Sequence, residues 1–563
     1  MPNEYDVIII GAGVAGALIA WKLSEAKHSV LILDAGEERL GDADRKAFVK
    51  LFSEASQKGK SPSQPYVDAD NKKFAHSPDV EDFNLAAPGD NRYYRQSGPE
   101  PFKSQYQRLV GGSTWAWRGN CPRFIPHDFK LKTRYGQGVD WPISYDDLEP
   151  WYCDAEDALG VSGNHHEWDN LLGARRSRHF PMKEIAQCYG DRQLRERLDD
   201  VYFDGHELKI LSLPQARNST AYDGRSACHG NSNCIPVCPI QAKYDATVHV
   251  RKAIHLGAKL VSKAVVTDLK LDASGQVSEV SYKTWDGQQQ PSVKGRIVVL
   301  ASHGIETVKI LLMSNGGKGI ANSSDQVGRN LMDHPGGEGA ALMPFQVFPF
   351  RGPQSTSCIE ALRDHKFRSQ FCGFRMTIGN DGWGRGQHPF DTLKKLTDRN
   401  LFGEELRREL NHTVTRQLRI AYTTEQLPDA NNRVTLSTDK DDLGIPKPAI
   451  AYKVDDYTRK GMEYAQSAIK RIFTALGALE ATWEFSDLKA KVFSGSGHIM
   501  GTCRMGSDPA TSVVDAGCQS HDVKNLFIVG STVFPTGSNT NPTVTLAALA
   551  LRTAAGIKRR LSP

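Results

Sequence analysis

Three cysteines in one short run have the spacing of metal ligands. Cys228, Cys234 and Cys238 follow the pattern C-x5-C-x3-C, and Pro239 comes directly after the third cysteine. Thiolates bind soft metal centres, and a C-x3-C-P ending recurs at iron–sulfur clusters. Two alternatives remain open: His229 could complete a structural zinc site, or the thiols could be free or paired in a disulfide. The tight spacing and the proline favour a metal centre.

A glycine-rich loop near the amino terminus has the pattern of a dinucleotide site. The apolar run 6–10 leads into Gly11-Ala-Gly13-Val-Ala-Gly16, and a helical pattern follows. In this motif the first glycine permits a tight turn, the second lets the backbone approach a pyrophosphate, and the third allows close packing of helix on strand. A second strand pattern ends at Asp34, about 20 residues further on, where an acid can accept a ribose hydroxyl. The segment predicts binding of FAD or NAD.

The composition is that of a globular protein with more than one domain. The chain has 563 residues, of which 39% are hydrophobic and 24% charged, and a net charge of +5. Basic residues are dispersed, so nucleic-acid binding is not expected. No apolar run reaches the ~18 residues needed to cross a bilayer, and we expect no signal peptide. Ten cysteines are too few for a disulfide scaffold.

Hydrophobic periodicity predicts the elements that must position these residues. The run AKLVSKAVVTDLKLDASGQVSEVSYKT alternates around Ser274-Gly275 and predicts a hairpin. The run RIVVLASHGIETVKILLMS predicts a strand, a turn and a helix. Near the carboxyl terminus, NLFIVG predicts a buried strand, residues 531–541 a loop, and Pro542 the first turn of a helix. Residues 340–450 contain several strand patterns that suit a sheet over a substrate pocket.

A second glycine-rich segment, RLVGGSTWAWRGN, lies between these elements. Gly111 and Gly112 would let the backbone pass close to a flat ring, and Ser113 and Thr114 would form a partly polar wall beside the tryptophans. The alternative is a turn that packs beside core tryptophans. Both interpretations remain open from the residues alone.

Together these segments resemble the glucose–methanol–choline (GMC) oxidoreductases, a family of FAD enzymes. The matching pieces, in family order along nearly the whole chain, are GAGVAG with Asp34, RLVGGSTWAW, VLASHGIETVKILLMS, VGRNLMDHP, NNRVTLS, HIMGTCRMG and NLFIVGSTVFPTGSNTNPT. The resemblance implies an α/β fold in which a Rossmann-like FAD-binding domain is interleaved with an α+β substrate-binding domain on an antiparallel sheet. The implied boundaries are 1–120, 205–335 and 490–563 for the FAD-binding domain, with the cysteine loop at 226–240, and 121–204 and 336–489 for the substrate-binding domain.

The resemblance also implies the residues of an alcohol-oxidising site. His498 matches the base that removes the hydroxyl proton while hydride passes to flavin N5; a neutral imidazole suits this task because its reference pKa is near 6.5. Asn541 matches the second catalytic position, where an amide can bind the hydroxyl without relaying a proton. His334 is expected to be structural. Ala116 stands where related enzymes bond a histidine to the flavin, so the FAD is expected to be non-covalent. The implied cofactor contacts are Gly11, Gly13, Gly16, Asp34, Gly111, Gly112, Ser113, Thr114, Val266, Gly530, Pro542 and Thr543.

The cysteine run resembles that of the catalytic subunits of bacterial FAD-dependent sugar dehydrogenases, whose three cysteines hold a [3Fe-4S] cluster. The resemblance therefore implies a dehydrogenase that oxidises a secondary or anomeric hydroxyl of a pyranose or glycoside and sends electrons through the cluster. The form HIMGTCRMG favours oxidation at C3 of a glucoside over glucose 1-dehydrogenation. The alternatives are a sugar oxidase of the pyranose-oxidase type, which produces hydrogen peroxide, and a non-catalytic flavin-binding subunit.

Partners and location follow from the same resemblance. A small subunit that carries a Tat signal or acts as a chaperone is expected, together with a cytochrome c acceptor. These would place the chain in the periplasm or at the inner membrane through its partner. A cytoplasmic location is the alternative, because no signal peptide is expected in this chain.

Overall fold

The computed structural model describes residues 4–54, 95–104, 106–230, 234–235, 237–285, 287, 290–380, 389–441, 443–490 and 495–562. The strands are β1 (Glu4–Ile10), β2 (Val30–Leu33), β3 (Arg95–Gln96), β4 (Tyr202–Phe203), β5 (His206–Glu207), β6 (Leu211–Ser212), β7 (Lys259–Val261), β8 (Ala264–Leu271), β9 (Val277–Thr284), β10 (Ser292–Leu300), β11 (Gly336–Leu342), β12 (Ser357–Ile359), β13 (Phe374–Ile378), β14 (Gln417–Thr424), β15 (Arg433–Lys440), β16 (Pro446–Ala451), β17 (Glu484–Phe485) and β18 (Leu526–Ile528).

The α-helices are α1 (Val14–Glu25), α2 (Asp42–Glu54), α3 (Leu131–Tyr135), α4 (Tyr145–Leu159), α5 (His165–Trp168), α6 (Tyr189–Arg197), α7 (Thr247–His255), α8 (Gly304–Met313), α9 (Pro389–Thr397), α10 (Gly403–Val414), α11 (Asp456–Ala475) and α12 (Thr543–Leu561). Single 3-10 turns cover Gly112–Trp115, Pro126–Lys130, Lys366–Ser369, Glu480–Thr482 and Ser531–Val533. Among the described residues, no helix combines the length and the apolar character that crossing a membrane requires.

A seven-stranded sheet carries the dinucleotide motif. Its strand order is β7-β2-β1-β10-β9-β8, and β18 also pairs with β10. The carboxyl half of β10 lies between β1 and β18, and these three strands, with β2 and β7, run parallel. The first residues of β10 instead pair antiparallel with β9. The central parallel segments, residues 7–10 of β1, all of β2 and β18, and residues 297–300 of β10, are apolar and buried, as expected where both faces of a sheet are covered.

Helix α1 is apolar on nearly every side because three neighbours cover it. It follows the glycine loop directly and packs against α7 and α12 as well as the strands beneath it. A helix of this kind belongs in the core rather than at the surface. The predicted strand, glycine loop, helix and second strand are all confirmed.

The second large sheet has six strands and is antiparallel. Its order is β17-β11-β14-β13-β12-β6, and the amphipathic helix α11 packs on β11, β13 and β14. The expected α/β class with a separate antiparallel sheet is confirmed. The domain boundaries stay a prediction; β6, inside the segment 205–335, pairs with β12 of the second sheet.

The other predicted elements also form. Strands β8 and β9 pair as the expected hairpin, and β10 followed by α8 is the expected strand, turn and helix. Helix α12 begins directly after Pro542, which restricts the backbone at its first turn. The loop between β18 and α12 therefore ends at Asn541, at the amino end of a helix.

Candidate active site

One deep cavity lies where the two sheets meet. It has a volume of about 710 Å³, within the range of small-molecule sites. Its walls include the loops that follow β1, β2 and β10, which is where ligands bind in open α/β sheets. Nine residues of the second sheet also lie in the wall: Gly336, Gly337, Glu338, Arg375, Thr377, Arg419, Ala421, Tyr422 and Thr423.

The first glycine loop forms one end of this cavity. Gly11 has φ +102°, and a Cβ there would lie 2.5 Å from the carbonyl oxygen of Ala301, so only glycine fits. A Cβ on Gly13 would meet no atom within 4 Å, because this position faces the open cavity. Gly16 is not in the wall; a Cβ there would clash with the carbonyl of Gly11, so it allows α1 to approach the loop.

Asp34 lies at the end of β2 in the cavity wall. Its carboxylate accepts hydrogen bonds from the backbone N–H groups of Ala12 and Gly36, both at 2.7 Å. Burial raises the pKa of Asp34, while these two N–H groups act in the opposite direction. The carboxylate therefore links β2 to the glycine loop, and its contact with a ribose stays a prediction.

The segment RLVGGSTWAW folds over the glycine loop. Gly111 donates its N–H to the carbonyl oxygen of Ala12 at 3.0 Å and has φ +101°. Gly112, Ser113 and Thr114 lie in the wall, whereas Gly111 lies behind it. This arrangement favours the ligand-facing interpretation of the segment over a turn that only packs on tryptophans.

Lys243 holds this segment from behind. Its buried ammonium group donates to the carbonyl oxygens of Trp115 and Trp117, both at 2.7 Å, and to that of Thr114 at 3.3 Å. Burial lowers the pKa of Lys243 to about 8, and the nearby Cys234 and Cys238 oppose this effect. Lys243 therefore connects the wall of the cavity to the cysteine run.

His498 and Asn541 meet in the cavity wall. The Asn541 side-chain amide lies 3.1 Å from His498 Nε2, and both residues line the cavity. Arg375 donates from Nη1 to Asn541 Oδ1 at 2.6 Å, and an ion pair with Glu360 holds Arg375 in turn. The predicted base and its predicted partner are thus adjacent, although their catalytic roles stay predictions.

His334 lies directly behind His498. The two Nδ1 atoms are 2.8 Å apart, and His334 Nε2 lies 3.0 Å from the carbonyl oxygen of Gly537. The Asp333 carboxylate accepts the backbone N–H groups of His334, Ser496 and His498 at 2.6–3.0 Å. One carboxylate therefore fixes the backbone of both histidines.

Burial keeps both histidines neutral. It lowers the pKa of His334 to about 4. It also lowers the pKa of His498 well below its usual range, and the charges of His334 and Arg375 add to the effect. A neutral imidazole has a free lone pair, which is what a base requires.

The remaining predicted contacts also border the cavity. Val266, Gly530, Pro542 and Thr543 lie in its wall, the last two at the start of α12. The Asn120 Oδ1 atom is buried in the same wall and has no partner among the described residues. A bound group with an N–H donor would satisfy it. Ala116 also borders the cavity, and its methyl group offers no atom for covalent attachment; non-covalent FAD stays a prediction.

The cysteine run lies beside the same cavity. Cys234 and Cys238 are buried, each 6% exposed, and Cys228 is close enough to both for their charges to act on its thiol, whose pKa burial raises. Arg217 Nη1 donates to Cys234 Sγ at 3.3 Å. The next residue, Ile235, is itself part of the cavity wall. All ten cysteines are free, so a disulfide is excluded.

Within the described residues, no three Cys, His, Asp or Glu side chains converge as ligands of a single metal ion. That leaves the zinc interpretation with Cys228, Cys234, Cys238 and His229 unsupported. The same finding gives no support to the [3Fe-4S] cluster, which stays a prediction.

The fold and the site define a flavin-type oxidoreductase, and comparison with known proteins identifies its family. Residues 6–61 match the family model "FAD dependent oxidoreductase", and residues 212–336 and 428–550 match models of GMC oxidoreductases. The fructose dehydrogenase large subunit of Gluconobacter japonicus is 37% identical over 99% of both chains. The chain belongs to the GMC oxidoreductases.

Two further relatives agree with this assignment. The 2-methyl-1,2-propanediol dehydrogenase of Mycolicibacterium austroafricanum is 28% identical over 100% of this chain and 96% of its own. The crystal structure of pyridoxine 4-oxidase from Mesorbium loti has a TM-score of 0.62 at 20% identity, covering 98% of this chain and 99% of that one, and it shows the shared fold. The chain is an FAD-dependent oxidoreductase that acts on CH–OH groups.

Sequence patterns did not identify three residues that the structure brings to the site. Arg375, Lys243 and Glu338 belong to no motif. Arg375 and Glu338 line the cavity, and Lys243 supports its wall from behind, through contacts between distant segments. His334 was expected to be structural only. The motif VGRNLMDHP marks His334 in the sequence, but nothing in its spacing gives the contact with His498.

Proposed function

We propose that the chain is the flavin-bearing subunit of a sugar dehydrogenase. The observation that carries this proposal is the polar character of the cavity opposite His498. Arg419 and Glu338 form an ion pair at 2.8 Å, and both line the cavity with Arg375, Thr377 and Tyr422. Charged and hydroxyl side chains suit a ligand with several hydroxyl groups, because each hydroxyl can donate and accept.

The proposed chemistry needs two groups from this chain. His498 Nε2 accepts the proton of the substrate hydroxyl, and the Asn541 amide binds the same oxygen as charge develops on it. FAD would be held by the glycine loop at Gly11 and Gly13 and by Gly112 in the facing wall, and it would supply the acceptor for the hydride of the carbon that bears this hydroxyl, which would become a carbonyl carbon. The ion pair of Glu338 and Arg419 would bind hydroxyls away from the reacting carbon and fix which one is oxidised.

We propose further that the three cysteines hold a [3Fe-4S] cluster as the electron exit. Ile235, next to Cys234, borders the flavin cavity, which supports a short path between the two groups. The positive charges of Arg217 and Lys243 close to the thiols would stabilise the anionic thiolate set. Such a cluster passes single electrons, a task that a peroxide-forming oxidase does not need.

Partners and location belong to the same proposal. The fructose dehydrogenase relative is named a large subunit, so we propose a smaller subunit and a cytochrome c acceptor for this chain too. Such an assembly would work in the periplasm or at the inner membrane, with the partner supplying the export signal. Purification of the chain from its native host, followed by fractionation and identification of any small protein that co-purifies with it, tests this.

A finer proposal concerns which carbon of the sugar is oxidised. We propose a secondary ring hydroxyl, with C3 of a glucoside as the position that the resemblance favours. Because the relative at 37% identity is a fructose dehydrogenase, D-fructose is the first competing substrate, and D-glucose oxidised at C1 the second. NMR of the product identifies the carbon oxidised.

Anaerobic titration with a panel of sugars tests the proposal. We expect a sugar or glycoside to bleach the flavin and a simple diol of similar size not to. Electrons should then reach an artificial acceptor at a rate that oxygen does not change, and a paramagnetic cluster signal should change with them. Peroxide formation in place of that transfer would favour the oxidase, and a flavin that no sugar bleaches would refute the assignment.

A matched pair of variants tests the role of the polar wall. Glu338→Gln should raise KM for the sugar about tenfold with little change in kcat, because it weakens binding shared by ground and transition states. Glu484→Gln is the control: Glu484 lies next to β11 in the same sheet but pairs with Lys395 at the surface. Equal kinetics for the two variants would remove Glu338 from substrate binding.

A further inference from the structure

A continuous chain of hydrogen bonds runs through the active site. It begins at the Arg375 guanidinium and passes through the side chains of Asn541, His498 and His334 to the carbonyl oxygen of Gly537. The links measure 2.6, 3.1, 2.8 and 3.0 Å. Every link is therefore short enough to be a hydrogen bond with a defined donor.

The two ends of the chain fix its polarity. A guanidinium can only donate, so Asn541 Oδ1 accepts and its amide nitrogen faces His498. A carbonyl can only accept, so His334 must carry its proton on Nε2 to donate to Gly537. A neutral imidazole has one proton, which leaves His334 Nδ1 as an acceptor.

The polarity then determines the protonation form of His498. Because His334 Nδ1 accepts, the proton of neutral His498 must be on Nδ1, directed at His334. His498 Nε2 is left with its lone pair in the cavity, where the Asn541 amide donates to it. Both ends of the chain predict the same arrangement independently.

We infer that His334 is a positioning residue: it holds His498 in the one neutral form whose lone pair points at the substrate. The inference rests on the proposed role of His498 as base. When the Asn541 amide binds the substrate oxygen, it no longer donates to His498 Nε2, and His334 is the group that still fixes this form. Without that acceptor, His498 could carry its proton on Nε2, and that form cannot take a proton from an alcohol.

The surroundings allow His334 to hold this position. His334 is completely buried, and Asp333 binds the backbone N–H of both histidines. A Cβ on Gly537 would lie 2.8 Å from Met500 Cε and 3.5 Å from His334 Nε2, so the Gly537 backbone packs closely against both side chains. The acceptor at the end of the chain is thus fixed by packing.

Two substitutions at this position separate positioning from packing. His334→Phe keeps a ring of similar size but has no acceptor, so we expect kcat for flavin reduction to fall about 100-fold or more, with KM within a few-fold of the wild type. His334→Asn retains an acceptor oxygen near the position of Nδ1, so its kcat for flavin reduction should be at least tenfold higher than that of His334→Phe. Bound FAD, measured by absorbance, controls for folding.

A spectroscopic measurement tests the inference without any substrate. In protein labelled with [15N]histidine, the His498 signal, assigned by its loss in His498→Gln, should show Nδ1 protonated and Nε2 bare. A protonated Nε2 in the wild type would overturn the inference, as would a His334→Phe enzyme with nearly unchanged kcat. If no sugar reduces the wild-type flavin while the nitrogen signals are as expected, the proposed function fails and the assignment of the proton stands.

Discussion

Two regions, one in the cavity wall and one beside it, differ in the groups that surround them. Around His498 and Asn541 the polar atoms form a chain in which each donor faces one acceptor, and both histidines are kept neutral by burial. Around Cys234 and Cys238 the neighbours are cations: Arg217 donates to one thiol, and Arg45 donates to the Cys238 carbonyl oxygen. Hydrogen-bond direction dominates the first region, and net positive charge the second.

If the cysteines hold the proposed cluster, this difference would separate proton transfer at His498 from electron transfer at the thiolates. A proton moves only along a hydrogen bond, so its site needs fixed geometry and a base with a free lone pair. Electrons carry charge without needing a bond, so their site needs a stabilising potential. Lys243 lies between the regions. It donates hydrogen bonds to the cavity wall on one side and interacts electrostatically with the thiols on the other.

The largest effect should come from removing the base. His498→Gln should lower the rate of flavin reduction by sugar about 10²- to 10⁴-fold, since an amide cannot accept the proton. Transfer from chemically reduced flavin to an acceptor should stay unchanged if the two regions are separate. Stopped-flow absorbance measures both steps, with His412→Gln at an exposed position as the control. A comparable loss in the second step would show that the regions are not independent.

Removing one thiol should slow the second step, electron transfer to the acceptor, and leave the first step, flavin reduction, unchanged. Cys234→Ser should leave flavin reduction by sugar intact but slow transfer to an external acceptor at least tenfold, since the loss of one ligand destabilises a three-thiolate cluster. Iron analysis should show loss of metal. Cys188→Ser, at an equally buried cysteine outside the cavity, should retain both. Undiminished transfer in Cys234→Ser would refute the electron-exit proposal.

Lys243→Met should weaken the connection between the regions. Three carbonyl oxygens lose their shared donor, at a cost of about 1–3 kcal/mol, so FAD affinity should fall roughly tenfold. Equilibrium dialysis of FAD measures the change. Lys252→Met is the control, because that ammonium pairs with Asp223 nearer the surface. Identical FAD affinity in the two variants would mean that Lys243 does not support the wall.

The smallest effect should be that of pH on flavin reduction above pH 6.5. Burial lowers the pKa of His498 below its usual 6.5, so the base is already neutral there and the rate should be flat to pH 8. The stability of the fold should depend on pH in a lower range. Below pH 6.5 His334 binds a proton in the unfolded chain, whereas buried His334 in the folded chain, with a pKa of about 4, does not. Stability should therefore fall between pH 6.5 and 4. A rate that rises steeply from pH 7 to 8 would contradict this.

The sequence predicted the parts of the site that depend on local pattern. The glycine loop, Asp34, the hairpin and helix α12 each follow from a few adjacent residues, and the resemblance supplied His498 and Asn541. Arg375 and His334 could not be predicted as their neighbours, because strand β13, the loop before β11 and the loop before α12 meet only in the folded chain. The same is true of Ile235, whose place in the cavity wall no spacing rule gives.

The pairing of β10 sets the order in which the protein can assemble. This strand lies between β1, near one end of the chain, and β18, near the other, and its first residues also belong to a hairpin. Contacts between such distant segments form slowly, because a long loop must close before they stabilise the chain. The cavity wall at Asn541 follows β18, so the flavin site is complete only once this last strand has joined the sheet. Cofactor capture should thus be a late step of folding, after most of the apolar core has already formed.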